Sequence, residues 1–237
     1  MTPSVLTLSI AKLGLALVPA LAVVWILWRW SLEFKNVIYA LSRMLLQLMV
    51  IGYFLIYIFE AEVSWIIMVL LTLMLFTAAW ISMGSVKDRR KMFYAKALLS
   101  ILLGGGTTLI FITQVVLDLN PWFYPRYVIP IAGMIFANSM NSVSLAAERF
   151  MAEFEQNPDY EKARNSALKA SLIPITNSLF AVGLVSLPGM MTGQILSGIS
   201  PLIAVRYQIM VMCMIFGSAG ISSACFLRLI KGTGKEN

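Results

Sequence analysis

The chain has 237 residues, of which 59% are hydrophobic and only 12% are charged, and its formal net charge is +7. A soluble domain of this composition would expose far too much apolar surface, so the sequence indicates an integral membrane protein. There is no histidine, which removes the commonest transition-metal ligand and the usual side chain for proton transfer near neutral pH.

Seven stretches are long and apolar enough to cross a bilayer, and little sequence is left between them. A membrane-spanning helix needs about 20 mostly apolar residues. The predicted spans, in chain order, are Ser4–Trp28, Val37–Phe59, Val63–Ser85, Phe93–Leu117, Tyr127–Leu145, Leu172–Leu187 and Leu202–Leu227. We therefore predict an all-α integral membrane protein of about seven transmembrane helices, which forms a single transmembrane domain over residues 1–237.

Cations are concentrated in alternate connections between the predicted spans. Those connections, and the segment after the last span, hold Arg29, Lys35, Arg43, Lys87, Arg89, Arg90, Lys91, Lys96, Arg149, Lys162, Arg164, Lys169, Arg228, Lys231 and Lys235. The other connections hold Glu60, Glu62 and Asp118, with only Arg126 and Arg206 as cations. Since basic loops stay on the cytoplasmic side, we predict an external N-terminus and a cytoplasmic C-terminus. Membrane topology thus explains the positive charge, and no nucleic-acid partner is expected.

Polar side chains lie inside the second and fifth predicted spans. Arg43 and Gln47 are one helical turn apart, and Arg43 either reaches the cytoplasmic surface along its aliphatic stem or serves a transport pathway. Gln47 lies deeper and cannot reach the surface, which favours the pathway. Asn138 and Asn141 are costly in lipid unless they face protein or water, so they either form interhelical hydrogen bonds or line a hydrated pathway.

Small residues mark the fourth and seventh predicted spans. The fourth contains three consecutive glycines, Gly104–Gly106, which forfeit helix propensity and indicate close packing or a hinge. The seventh carries Gly217, Ser218, Ala219, Gly220, Ser222, Ser223 and Ala224. Because small residues at helical spacing let two backbones approach closely, we predict a helix-packing face, either within the chain or across a dimer.

Residues 146–171 form the longest predicted cytoplasmic connection. The fifth helix is predicted to continue into it over Glu148–Glu155. Asn157 then has the position of an N-cap, with a proline next and an acidic first turn that includes Glu161. The predicted helix Asp159–Ala170 either lies on the membrane surface or docks a cytoplasmic partner.

The sixth predicted span is short and is interrupted by polar residues such as Asn177. It meets Pro188 and Gly189, and the segment that follows, through Ser200, is apolar but rich in helix breakers. Because this span extends only about 24 Å as a helix, the segment is predicted to dip back into the membrane and line a cavity. The alternative is an ordinary external loop with a short helix.

Methionines and a cysteine cluster near the external half of the last segments. They are Met190, Met191, Met210, Met212, Met214 and Cys213. Thioethers and thiols are soft ligands, better suited to Cu(I) than to hard ions. The alternative is that these side chains only fill the core.

No nucleotide-binding motif of the G-x-x-x-x-G-K-[ST] type is present, and carboxylates inside the spans are scarce. We therefore expect no ATPase site and no proton-coupled pump in this chain. Three functions remain: a permease subunit driven by a separate motor, a stand-alone channel or secondary carrier for a metal ion or small solute, and a non-transporting membrane scaffold.

Three segments resemble the FetB family of ABC transporter permeases. They are Leu41–Leu48 (LSRMLLQL), Pro130–Asn141 (PIAGMIFANSMN) and Gly183–Gly198 (GLVSLPGMMTGQILSG), continued by Pro201 and Arg206–Ile209. The chain is also similar to the membrane subunits of plant aluminium-tolerance half-transporters. The resemblance implies a bacterial inner-membrane permease that exports iron, and that works as a homodimer with two copies of a cytoplasmic ABC ATPase.

The resemblance also implies roles for individual residues. This chain would bind no cofactor, while ATP and Mg²⁺ would bind the ATPase subunit. The implied coupling residues are Glu148, Asp159, Glu161 and Ala163. The predicted pathway or gate residues are Arg43, Gln47, Asn138, Asn141, Asn177, Pro188, Gly189, Met190, Met191 and Gln194, of which the resemblance favours residues 188–194 as the gate. Met190 and Met191 are candidate metal ligands because of their soft thioethers, not because of the resemblance. The chain is expected to be a transporter subunit without enzymatic activity of its own.

Overall fold

The computed structural model describes residues 9–60 and 63–231, without the side chains of Ile10 and Glu60. These residues are almost entirely helical and contain no β-strand, only an isolated bridge between Val182 and Ser186. The α-helices are α1 (Ile10–Ala16), α2 (Val18–Arg29), α3 (Phe34–Glu60), α4 (Ser64–Ser82), α5 (Arg90–Ile101), α6 (Thr107–Ile110), α7 (Pro125–Gln156), α8 (Tyr160–Ala181), α9 (Gly189–Leu196) and α10 (Pro201–Leu229). A short 3₁₀ helix, Lys87–Arg89, precedes α5, and π-helical turns at Leu102–Gly106 and Phe111–Val116 flank α6. The all-α prediction is confirmed.

Six helical stretches within the described residues are long and apolar enough to cross a membrane: Ala11–Arg29, Phe34–Phe59, Ser64–Ser82, Lys87–Val116, Pro125–Gln156 and Pro201–Leu229. They correspond to six of the seven predicted spans. The remaining one, Leu172–Leu187, is not among them because α8 ends at Ala181 and its first half is polar. The orientation of the chain stays a prediction. Ser4, where the first predicted span begins, and Glu62 and Lys235, which were used to predict the orientation, lie outside the described residues.

The chain divides into two compact units. The first consists of α1 to α3 together with Leu196–Gly198. Ser9 starts α1, its hydroxyl accepting a hydrogen bond from the Lys12 amide at 3.4 Å, and Pro19 lies in the first turn of α2. No described side chain of α2 is buried, which leaves this helix to be covered by lipid or by another chain. That the whole chain is a single transmembrane domain stays a prediction.

The second unit, Glu62–Ile195 and Ile199 onward, contains the buried core. Phe226 of α10 is fully buried and meets Phe93 of α5 edge to face, with ring centroids 6.0 Å apart. Ile135 places α7 against the same core. Since lipid tails are as apolar as these side chains, close fit rather than the hydrophobic effect holds such helices together in a bilayer.

That close fit is visible where α10 meets the π-helical turn Leu102–Gly106. A Cβ atom added to Gly104 would lie 2.4 Å from Ser222 Oγ and 2.5 Å from the Ser222 backbone nitrogen, so a larger residue cannot enter without displacing backbone. Ser218 and Ala219 of the same small-residue face are fully buried. These residues of the face therefore pack within the chain, whereas Ala224 is exposed, and a dimer contact of the remaining residues stays a prediction.

The connection between α7 and α8 differs from the predicted one in its cap. α7 continues as one helix to Gln156, as predicted. Asn157 is not the N-cap, because α8 begins only at Tyr160 and Asn157 is instead the C-cap of α7. Asp159 takes this role instead, and its Oδ1 accepts hydrogen bonds from the amides of Glu161 and Lys162 at 3.0 and 3.2 Å.

The predicted helix Asp159–Ala170 and the predicted span after it are one continuous helix, α8. The prediction of two helices is wrong. Hydropathy changes between Ala170 and Leu172, where the boundary was predicted, but the residues on both sides favour a helix, so the helix continues. Pro174 lies inside α8 without ending it, at the loss of one backbone hydrogen bond. The helix ends at Ala181, where Val182 is extended and Gly183 takes a φ of +86° that favours glycine.

The segment after α8 consists of a turn and a short helix. That helix, α9, begins directly after Pro188, whose carbonyl oxygen accepts hydrogen bonds from the Thr192 amide at 3.0 Å and the Thr192 hydroxyl at 3.2 Å. The depth of this segment in the membrane stays a prediction.

Candidate functional site

A cavity of about 320 Å³ lies between the end of α8, the turn after it, α9 and α10. Its lining is mostly aliphatic and also contains sulfur atoms and one amide: Leu179, Val182, Gly183, Leu187, Met191, Val205, Gln208, Ile209, Met212 and Cys213. We call it the methionine cavity. It is the place where the predicted gate segment meets the last span.

Gln208 is the unusual residue of the methionine cavity. Its side chain is 5% exposed, and neither Nε2 nor Oε1 has a hydrogen-bond partner within the described part of the chain. Leaving a buried polar group unpaired costs about 1–3 kcal/mol, so native proteins retain such groups where they have a use. The amide oxygen and the amide nitrogen of Gln208 are thus available to a ligand in the cavity.

The sulfur side chains divide between this cavity and the core. Met191, Met212 and Cys213 line the cavity, and Met212 also belongs to the buried core. Met190 and Met210 instead pack against the hydrophobic core, and Met214 is buried inside it. Of the two predicted metal-ligand candidates, Met191 therefore lies at the cavity and Met190 does not. For the core methionines, the structure favours the packing alternative.

Of the predicted gate residues, Pro188 directly precedes α9, and Gly189 and Gln194 belong to it, but none of the three lines the cavity. The Gln194 side chain contributes a second buried amide oxygen that has no partner among the described residues. Gly189 is exposed. The segment therefore forms one wall of the methionine cavity through Met191 and Leu187.

A second cavity, of about 420 Å³, lies between α4, residues 102–114 and α7, and its lining is almost wholly apolar. The one deeply buried hydroxyl in it, that of Thr113, donates to the Leu109 carbonyl oxygen at 2.9 Å. Gln114 is also satisfied, because its Nε2 donates to Thr113 Oγ1 at 3.2 Å. This cavity therefore offers a cation much less than the methionine cavity does.

The predicted asparagines do not share one environment. Asn138 Nδ2 donates to the carbonyl oxygen of Met134 in its own helix at 2.8 Å, so it makes no interhelical bond of the predicted kind there. The hydroxyl of Ser142 does cross between helices, to the Ser171 carbonyl oxygen at 3.2 Å. Asn141 and Asn177 are exposed on the surface of the second unit.

Arg43 and Gln47 lie on α3 in the first unit, and both side chains are exposed. An exposed glutamine inside an apolar span is expensive in lipid. It is consistent with a surface that water or another chain covers.

The coupling residues lie at the connection of α7 and α8. Glu148, Asp159 and Glu161 are exposed. Ala163 is 1% exposed and faces the interior, so its side chain is a packing contact and not a docking surface. Three of the four predicted coupling residues are thus accessible to a partner.

Side chains also tie the end of α7 to the start of α8. Arg149 forms an ion pair with Glu153, and Ser166 of α8 donates a hydrogen bond to Glu153 Oε1 at 3.2 Å. Phe150 stacks on Phe154 and meets Tyr160 edge to face at 5.9 Å between centroids. The connection is therefore fixed to both helices, and a displacement of one helix end carries the other with it.

Sequence reasoning missed Gln208 as a site residue and Ala163 as a buried one. Gln208 could have been found from the sequence, because it is an amide side chain inside an apolar span. The same pattern identified Gln47 as a candidate. For Ala163, the signal was its helical spacing with Ala167, which is also fully buried.

Comparison with known proteins gives a consistent set of relatives. The sequence model of the uncharacterised protein family UPF0014 matches residues 10–163 and 159–233. The protein named "Probable iron export permease protein FetB" of Escherichia coli is 36% identical over 214 residues, which cover 81% of this chain and 80% of the relative. The protein ALUMINUM SENSITIVE 3 of Arabidopsis thaliana is 35% identical over 229 residues, or 90% of this chain and 82% of the relative. A UPF0014 membrane protein of Synechocystis is 37% identical over 195 residues, 76% and 75% of the two chains. No solved structure matches.

Proposed function

Since this chain belongs to the uncharacterised protein family UPF0014, we propose that it is the membrane subunit of an ABC transporter that exports a metal cation. Iron is the first candidate, because one relative is named an iron export permease and another is named for aluminium sensitivity. The chain is a multi-pass membrane protein, and the bacterial inner membrane is its proposed location. ATP and Mg²⁺ bind a separate cytoplasmic ATPase, and this chain binds neither.

The observation that carries the proposal is the continuity of α8. Its capped end lies in the coupling segment, residues 146–171, and its other end forms a wall of the methionine cavity through Leu179. Its 22 residues extend about 33 Å as a helix. A single rigid element therefore links the exposed acidic connection to the cavity, so motion of a docked ATPase moves a cavity wall directly.

The methionine cavity supplies the substrate site in this proposal. Met191 and Cys213 provide sulfur, and Gln208 provides an amide oxygen with no other partner among the described residues. Mixed sulfur and oxygen donors suit a soft or borderline cation better than a hard ion such as Mg²⁺ or Ca²⁺. Within the described residues, no group of three or more Cys, Asp or Glu side chains is placed to hold a metal ion, which directs attention to these neutral donors.

We propose a homodimer as the working form of the permease. Asn141 and Asn177 are exposed on helices that otherwise present apolar side chains, such as Phe180, to their surroundings. Lipid does not pair amides, whereas a second copy or a hydrated pathway between two copies does. The same reasoning covers Gln47 and Arg43 of α3.

The coupling claim is tested by Glu161→Lys. Reversing this exposed charge is expected to reduce co-purification of the cognate ABC ATPase at least tenfold, while the variant still inserts into the membrane. Asp88→Lys is the matched control, since Asp88 is also an exposed acidic residue in the first turn of a helix. Normal recovery of the ATPase with Glu161→Lys would overturn the docking claim.

The transport claim is tested in vesicles that contain the permease with and without its ATPase. ATP-dependent export of Fe²⁺ only from vesicles that contain both subunits supports the proposal. Uphill export by the permease alone would instead identify a secondary carrier.

A further inference from the structure

A third cavity, with a polar lining, lies at the opposite end of α8 from the methionine cavity, between the first turns of α8 and the last turns of α10. It has a volume of about 800 Å³. Its lining combines cations, an aromatic ring and aliphatic side chains: Tyr160, Arg164, Asn165, Leu168, Ala224, Cys225, Leu227, Arg228 and Lys231. We call it the basic pocket. Neither the pathway nor the coupling role proposed above uses it.

The basic pocket carries three positive charges and no carboxylate in its lining. Among the described residues, Arg164 donates only to the neutral Oδ1 of Asn165, from Nε at 3.1 Å and from Nη2 at 2.9 Å. Arg228 and Lys231 are exposed, and neither forms an ion pair within the described part of the chain. Glu161, one turn before Arg164, is not part of the lining. Three cations facing one cavity repel each other unless an anion lies between them.

Tyr160 lies close to two of these cations. Its ring lies 5.8 Å from the Arg164 guanidinium carbon and 5.5 Å from Lys231 Nζ. Its hydroxyl donates to the Leu227 carbonyl oxygen at 2.9 Å. Burial raises the pKa of Tyr160 above its ordinary value, although nearby Arg164 and Arg228 lower it, so the hydroxyl stays neutral and does not cancel the positive charge.

The polarity of the basic pocket changes with depth. Its polar residues lie at the helix ends, with neutral Tyr160 and cationic Arg164 at the start of α8 and Arg228 at the end of α10. Further into the helices, the wall is formed by Leu168 and Ala224. A cationic rim above an aliphatic wall matches a glycerophospholipid, with a phosphate above acyl chains. A free phosphate or a nucleotide has no part that fits the aliphatic wall.

We propose that the basic pocket binds the headgroup of an anionic phospholipid from the adjacent leaflet. Basic pockets between transmembrane helices on the cytoplasmic side bind such headgroups, and this end of the chain is the one that its cations predict to be cytoplasmic. Arg164, Arg228 and Lys231 hold the phosphate, and Leu168 and Ala224 contact the first part of the acyl chains. The inference does not depend on which substrate the permease moves.

The first test measures lipid binding to the full-length protein in detergent by native mass spectrometry. Phosphatidylglycerol is expected to bind at least tenfold more tightly than phosphatidylcholine. Arg228→Gln with Lys231→Gln should weaken phosphatidylglycerol binding by about tenfold to thirtyfold. Arg89→Gln with Lys91→Gln removes the same charge on the same predicted side and should leave binding within twofold. Equal binding of the two lipids, or equal loss in both double variants, would overturn the proposal.

The second test needs no change in the pocket, because Cys225 is part of its lining and is half-buried. In a Cys213→Ser background, Cys225 is the remaining cysteine. Its alkylation by maleimide is expected to be at least fivefold slower in phosphatidylglycerol nanodiscs than in phosphatidylcholine nanodiscs. Equal rates overturn the lipid claim. Protection by the ATPase subunit but not by the lipid would show that an acidic protein surface occupies the pocket, and this also overturns it.

Discussion

Gln208→Leu is expected to make the protein more stable and the transporter inactive. The side chain is buried with both amide groups unpaired among the described residues, and each such group costs about 1–3 kcal/mol. Leucine has a similar size and no polar atom, so the substitution removes both costs. The free energy of unfolding should rise by about 2 kcal/mol or more. In a chain of this size, about 1 kcal/mol shifts Tm by about 2–4 °C, so Tm should rise by about 4–8 °C.

The measurement is thermal unfolding of the purified protein in one detergent, with ATP-dependent Fe²⁺ export measured in vesicles. Gln114→Leu is the matched control, because Gln114 is a half-buried glutamine of the same unit whose Nε2 already donates to Thr113. Its replacement should lower Tm or leave it unchanged, and export should continue. The two variants therefore separate a general effect of removing an amide from one that belongs to the methionine cavity.

Two results would refute the reasoning. A fall in Tm with Gln208→Leu would mean that the amide contributes stabilising hydrogen bonds in the native state. Unchanged export in a properly inserted variant would mean that the methionine cavity is not on the substrate path. A more stable protein with export reduced at least tenfold is the outcome expected of a site that retains a costly group for its function.

Three further predictions follow from the contacts. Gly104→Ala forces a Cβ into Ser222 and should lower the free energy of unfolding by about 1–3 kcal/mol, which is measured as a lower Tm. Gly217→Ala is the control, because its Cβ enters open space and should not lower Tm. Asp159→Ala removes the N-cap of α8 and should lower the free energy of unfolding by about 1 kcal/mol, whereas Asp159→Asn keeps a capping side chain. If the Asn variant loses ATPase binding, the loss is therefore due to the missing negative charge. Met191→Leu should reduce metal export without lowering Tm by more than about 2 °C, and normal export would remove Met191 from the site.

The sequence predicted most of the spans because hydropathy over about 20 residues is a strong, local signal. It also predicted that α7 runs on to Glu155, since nothing in that stretch ends a helix. It placed the next cap two residues early, at Asn157, because Asn and Asp are both good caps. In the structure, Asn157 is the C-cap of α7, and α8 begins only at Tyr160, so the Asp159 carboxylate accepts the two amides.

The methionine cavity could not be predicted in the same way, because it depends on which face of each helix turns inward. Met212, Cys213 and Met214 are consecutive in sequence, yet Met212 contributes to both the cavity and the core, Cys213 lines the cavity, and Met214 lies only in the core. Soft-ligand chemistry was predicted from residue type, but its placement required the packing of α8, α9 and α10. The same dependence explains why Met190 and Met191, equal candidates by sequence, differ in the structure.

Because α8 is continuous, which the sequence did not predict, one helix connects the basic pocket to the methionine cavity. The basic pocket and the capping Asp159 lie at one end of this helix, and the methionine cavity lies at the other. A rigid helix transmits a shift or tilt of its first turn to its last, whereas two helices joined by a break would absorb it. An anionic lipid held beside Tyr160 would therefore restrain the same element that the proposed ATPase would move. In that proposal, lipid composition would set how far a nucleotide cycle displaces the cavity wall.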